Sequence, residues 1–110
     1  MKIFFRDLIE QIADYAIVVL DSKGTIRSWN AGARAITGYT DLEAVGRPLS
    51  TFLRETLVSE AISKGRASRQ CWLLRKNGKP LWTENIVQTV AAAKGGQTTL
   101  CWLCRDPFDM

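Results

Sequence analysis

The sequence predicts an α+β fold, with an antiparallel sheet, short helices over one face and an N-terminal amphipathic helix on the other. Three observations carry this reading. Two β-branched or apolar runs, Tyr15 to Asp21 and Thr25 to Trp29, flank a glycine turn. Short helical segments with cap residues occupy the middle of the chain. Three further strand-like runs, joined by Asn77-Gly78 and Gly95-Gly96 turns, close it and bring the expected strand count to five. With 110 residues, one domain is expected. We divide the chain into an N-terminal helix at 1–13, a core at 14–106 and a tail at 107–110.

The elements follow in order. Residues 3–13 place Ile3, Phe4, Phe5, Leu8, Ile9, Ile12 and Ala13 at helical spacing, with Arg6, Asp7, Glu10 and Gln11 on the other side. A helix this short is marginal alone, so its apolar stripe must dock. Tyr15 to Asp21 reads as a buried strand, turned by Ser22-Lys23-Gly24, with Thr25 to Trp29 returning. Asn30 is a good N-cap for a helix at 31–37, and Gly38 is its C-cap. Thr40 with Glu43 forms a capping box for a second short helix, which Gly46 and Pro48 break. A longer helix is predicted at 55–65. Ser68 to Arg75, Pro80 to Ala92 and Thr98 to Asp106 are the last strands. Lys76-Asn77-Gly78-Lys79 and Lys94-Gly95-Gly96-Gln97 are the hairpin loops, and Pro107 stops the last strand.

Composition removes several function classes. The net charge of +4 comes from scattered Lys and Arg with no run of five, which argues for a solvated surface and against direct nucleic-acid binding. No apolar run is long enough to span a bilayer, and charge interrupts the N-terminus too early for a signal peptide, so a cytoplasmic location with no membrane partner is expected. Histidine is absent, which excludes histidine-dependent triads, histidine-bearing zinc sites and histidine haem ligation. The three cysteines, Cys71, Cys101 and Cys104, lie in predicted strands and read as reduced, buried thiols, so no metal site is expected. The carboxylates fit caps, exposed helix faces or, for Glu84, a cross-strand pair with Arg69 or Arg105. No nucleophile or base accompanies them, and an enzyme is not expected.

The ordered set Asp21, Gly24, Trp29-Asn30, Gly38-Tyr39, Gly46, Asn77-Gly78, Trp82 and Arg105-Asp106 resembles the PAS domain family along residues 7–106. The resemblance implies a five-stranded antiparallel sheet, a hollow between helices and sheet, and a sensory or dimerisation role in signal transduction. The flavin-binding light-oxygen-voltage members carry a reactive cysteine just after the position of Gly46-Arg47. Here the segment is Gly46-Arg47-Pro48-Leu49-Ser50, so that photochemistry is not expected. Positions that grip flavin in those members match Leu73, Thr83 and Cys104. Haem-binding members use a helix histidine that this chain lacks. No cofactor is the leading expectation, with a non-photochemical flavin as the alternative. Family members run on from an Asp-Ile-Thr-like triplet into a signalling helix. Asp106 matches it, whereas Pro107 and Phe108 depart.

Registered on that resemblance, strand alternation turns Val18, Leu20, Cys71, Leu73, Thr83, Asn85, Val87, Leu100, Trp102 and Cys104 inward. Ile36, Val45, Phe52, Leu57 and Ile62 should close the lid. The candidate hollow is Val18, Leu20, Ile36, Phe52, Leu73, Thr83, Asn85, Val87, Leu100 and Trp102. Its polar groups, with Tyr39 nearby, are Thr83 and Asn85. Either the core is filled and Asn85 bonds internally, or Asn85 and Thr83 orient a ligand in an apolar cavity. The opposite face receives Trp72, Leu74, Trp82, Ile86, Val90, Cys101 and Leu103, an apolar patch that calls for a cover. With Phe4, Phe5, Leu8, Ile9 and Ile12 it forms the candidate output surface and the expected homodimer interface. An effector domain or partner protein completes the expected signalling role. The first functional expectation is therefore a PAS module transmitting a ligand, redox or partner state through helix-on-sheet packing. The alternatives are a ligand-free interaction module with a filled core and a flavin redox sensor.

Overall fold

The structure is a computed structural model that describes residues 8–54, 56–90 and 98–108. Among the described residues the sheet has four strands, β1 (Ala16–Leu20), β2 (Arg66–Leu74), β3 (Pro80–Val90) and β4 (Thr99–Arg105). They are antiparallel, in the order β1-β4-β3-β2. Between β1 and β2 lie α1 (Ala31–Thr37), α2 (Asp41–Ala44), a 3-10 turn (Leu49–Thr51) and α3 (Leu57–Lys64). Of the expected N-terminal helix, residues 8–11 are helical. Phe4 and Phe5, the loop at 94–97, the strand end at 91–92 and Glu55 lie outside the described residues.

The expected strand from Thr25 to Trp29 is replaced by isolated bridges, Leu20 with Ile26 and Thr25 with Pro48. The reason lies in where the backbone bonds go. Arg27 N donates to Val19 O at 2.8 Å, but Ile26 N turns away to Arg47 O at 2.8 Å, and Gly46 N donates back to Ile26 O at 2.8 Å. The free N–H groups of β1 are taken by side chains instead of a ladder. Val19 N donates to Ser28 Oγ and Ile17 N to Asn30 Oδ1, each at 3.0 Å. Polar side chains thus seal an edge that would otherwise invite another strand.

The local signals behave as their chemistry requires. Asp21 Oδ1 accepts from Lys23 N and Thr25 N, each at 2.9 Å, which fixes the first turn. Asn30 Oδ1 caps α1 through Ala33 N at 2.9 Å. Thr40 and Glu43 form the reciprocal capping box on α2. Asn77 Oδ1 accepts from Lys79 N at 2.9 Å in the β2–β3 hairpin. The 3-10 turn carries Leu49 and, just after it, Phe52 into the core, and Leu74 N donates to Phe52 O at 2.9 Å. The core is one cluster between the helices and the inner sheet face, and it includes Leu20, Ile26, Phe52, Leu57, Leu73 and Trp102.

Candidate functional site

All ten residues of the candidate hollow are buried. The indole of Trp102, on β4, stands in its middle. Its ring lies 6.4 Å from Phe52 at an interplanar angle of 17° and 6.2 Å from Trp29. Trp29 and Tyr39 each approach Phe52 with centroids 5.3 Å apart. Trp29 Nε1 donates to Tyr39 O at 2.8 Å. These four rings form one aromatic cluster across the hollow, with geometry typical of favourable ring pairs.

The polar groups of the hollow are used internally. Trp102 Nε1 donates to Asn85 Oδ1 at 2.9 Å. Asn85 Nδ2 donates to Thr83 Oγ1 at 2.9 Å, and Thr83 Oγ1 donates to Cys71 O at 2.9 Å. These buried polar groups satisfy one another, so each is committed to a bond within the fold. The Trp102 indole occupies part of the hollow, and its partner Asn85 is itself bonded to Thr83. Cys104, buried beside Thr83, has its thiol pushed up to about 12, first by burial.

Two lid assignments need correction. Val45 is 45% exposed and Ile62 49% exposed. Val45 is the C-cap residue of the four-residue α2, already leaving the helix. The α3 face toward the sheet is set by Leu57 and Ala61, both fully buried, and Ile62 lies about 100° around the helix from Ala61. Leu57 closes the lid as expected.

The outer face carries alternating rows. Trp72 and Trp82 are cross-strand partners with ring centroids 5.0 Å apart at 73°. The next row is ionic. Arg105 Nε meets Glu84 Oε1 at 2.6 Å, and Gln70 Nε2 donates to Glu84 Oε2 at 3.1 Å. Arg69 is not the partner of Glu84. It has inward parity and pairs with Glu60 of α3 at 2.7 Å. Beyond the ionic row, Ile17, Leu103 and Ile86 stand side by side. Trp72 is 59% exposed, Leu74 and Val90 are also exposed, and Trp82, Ile86, Cys101 and Leu103 are half-buried. A groove of about 530 Å³ crosses this face, lined by Tyr15, Gln70, Glu84, Ile86, Leu103 and Arg105 among others. Leu8 is exposed and Ile9 and Ile12 are half-buried at the edge of β1, where Ile9 lines a second groove with Ile17 and Val19.

Trp29 holds a central position that strand alternation does not reveal, with a half-buried ring packed against the core cluster. Its place in the motif was visible, but only the return of the chain from β1 toward α1 tips the ring onto Phe52. Among the described residues, no group of three or more His, Cys, Asp or Glu side chains is placed to hold a metal ion. No described helix is long and apolar enough to cross a membrane.

The comparisons with known proteins agree with this geometry. Two-component system protein A of Emericella nidulans is 26% identical over 95 residues, covering 78% of this chain and 14% of that protein. The chain therefore spans a small part of the curated relative that it matches. The PAS domain of a protein from Colwellia psychrerythraea superposes with a TM-score of 0.82 at 21% identity, covering 100% of both chains. The PAS domain of nitrogen regulation protein NR(II) from Vibrio parahaemolyticus superposes with a TM-score of 0.75 at 19% identity, covering 92% of this chain and 96% of that one. The family model for the PAS domain matches residues 14–106, from the lead into β1 to the end of β4, and it establishes that this chain belongs to the PAS domain family.

Proposed function

We propose that this PAS domain is a non-catalytic sensory and dimerisation module of a cytoplasmic signalling protein, and that its signal is a change of partner or packing on the outer sheet face. The observation that carries the reading is the buried Trp102 indole, bonded to Asn85 and stacked on Phe52 inside the hollow. A domain whose hollow is filled by its own rings has its remaining recognition surface outside. That surface offers an exposed tryptophan, aliphatic neighbours and an ion pair, the mixture common at protein interfaces. A second copy of the chain is the proposed occupant, packed so that the same patch serves both subunits. An effector domain or partner protein would read the dimer.

Purified chain tests this directly. We expect no visible absorbance, a native mass equal to polypeptide alone, and a dimer in light scattering that Trp72→Arg converts to monomer. A retained flavin, or a wild-type chain monomeric at all concentrations, overturns the reading.

A further inference from the structure

We propose that the side-chain amide of Asn30 is a latch that registers the N-terminal helical segment on the domain and can open while the sheet stays folded. This inference does not depend on the dimer. Asn30 is buried at the meeting point of three segments. Its Oδ1 accepts from Ile17 N of β1 at 3.0 Å and from Ala33 N of α1 at 2.9 Å. Its Nδ2 faces three backbone carbonyls, Tyr15 O at 2.9 Å, Ile12 O at 3.1 Å and Ile9 O at 3.2 Å. The orientation of the amide is therefore dictated by its surroundings, since the flipped group would set its donors against two N–H groups.

The two ends of this side chain do different work. The oxygen holds the domain together by capping α1 and sealing the edge of β1. The nitrogen holds the incoming chain, because Ile9 and Ile12 belong to the N-terminal segment. Two hydrogens serve three carbonyls, so with Tyr15 O satisfied by one, the other divides between Ile9 O and Ile12 O. Among the described residues, little else grips the segment. Leu8 is exposed, Ile9 and Ile12 are half-buried, and Gly32 N donates to Ile12 O at 2.9 Å. Regions with few buried apolar contacts open below the global unfolding free energy. Gly32 keeps this junction close: a Cβ there would stand 1.8 Å from Tyr15 O.

Amide hydrogen exchange on the full chain, followed by NMR, tests the latch. In the wild type, the Asn30 Nδ2 protons should exchange at least about tenfold more slowly than those of a free asparagine side chain. Asn30→Asp keeps an acceptor for Ile17 and Ala33 but turns an oxygen toward the three carbonyls. It should speed exchange at Gly32 N by about tenfold or more while the amides of β3 and β4 stay within about twofold. Exchange unchanged at Gly32, or raised equally throughout the sheet, overturns the proposal. If the variant does not fold, the wild-type side-chain protons decide: exchange at the free rate also overturns it.

Discussion

The indole nitrogen of Trp102 on β4 donates to Asn85 Oδ1 on β3 at 2.9 Å, with both residues buried. Trp102 stands opposite Val87, so Asn85 is its diagonal neighbour across the strand pair. Trp102→Phe keeps a ring but leaves Asn85 Oδ1 without its donor. We expect a loss of about 1–3 kcal/mol in urea unfolding. Trp102→Ala should cost about 3–5 kcal/mol, because it also opens a cavity. A double variant, Trp102→Phe with Asn85→Leu, should cost less than the two single losses added together. Additive losses would show that the bond carries no coupling.

Acid stability should report the contact of Glu43 with Lys76. The Lys76 ammonium, with the Thr40 backbone N–H, holds the Glu43 carboxyl below its usual 4.5. A group depressed in the folded state contributes stability above its unfolded value and loses it as pH falls through the folded value. The melting temperature should therefore drop as pH decreases below about 4.5. Glu43→Gln should flatten part of that drop, and identical acid profiles for the two proteins would refute the assignment.

Thiol reactivity should separate the cysteines by face. Cys71 and Cys104 are buried, whereas Cys101 is half-buried on the outer face. Burial raises both the Cys101 and Cys104 thiols, the latter to about 12. At pH 8 a thiol reagent should label Cys101 first, and Cys104 only through opening of the domain. Mass spectrometry of the first label reads this, and initial labelling at Cys104 would contradict it.

Two glycine substitutions should differ in cost. Gly24 and Gly46 both have positive φ, +83° and +95°. A Cβ on Gly24 would meet Val58 Cγ2 at 3.0 Å, whereas a Cβ on Gly46 meets nothing within 4 Å. Gly46→Ala should cost about 1–2 kcal/mol for the left-handed backbone alone. Gly24→Ala should cost more than Gly46→Ala, because the Val58 side chain must also give way. Thermal unfolding of both variants compares them, and equal losses would mean that Val58 gives way freely.

What short-range chemistry controls was legible in the residues themselves. Caps at Asn30, Thr40 and Gly38, the Asn77-Gly78 hairpin and the alternation along β2, β3 and β4 depend on neighbours a few residues away. Once the family resemblance at Gly78, Trp82 and Asp106 supplied the register, a period of two turned Leu73, Asn85 and Trp102 inward and Trp72 outward. Where long-range bonds compete, the outcome came from the folded chain. Ile26 turns to Arg47 instead of extending a ladder on β1, so the fifth strand becomes two bridges. Arg69 reaches Glu60 on a helix, leaving Glu84 to Arg105. Trp102 occupies the hollow, and Asn30 joins three segments at once. Each of these outcomes depends on which of several adequate partners the folded chain brings within bonding distance, and local periodicity carries no record of that choice.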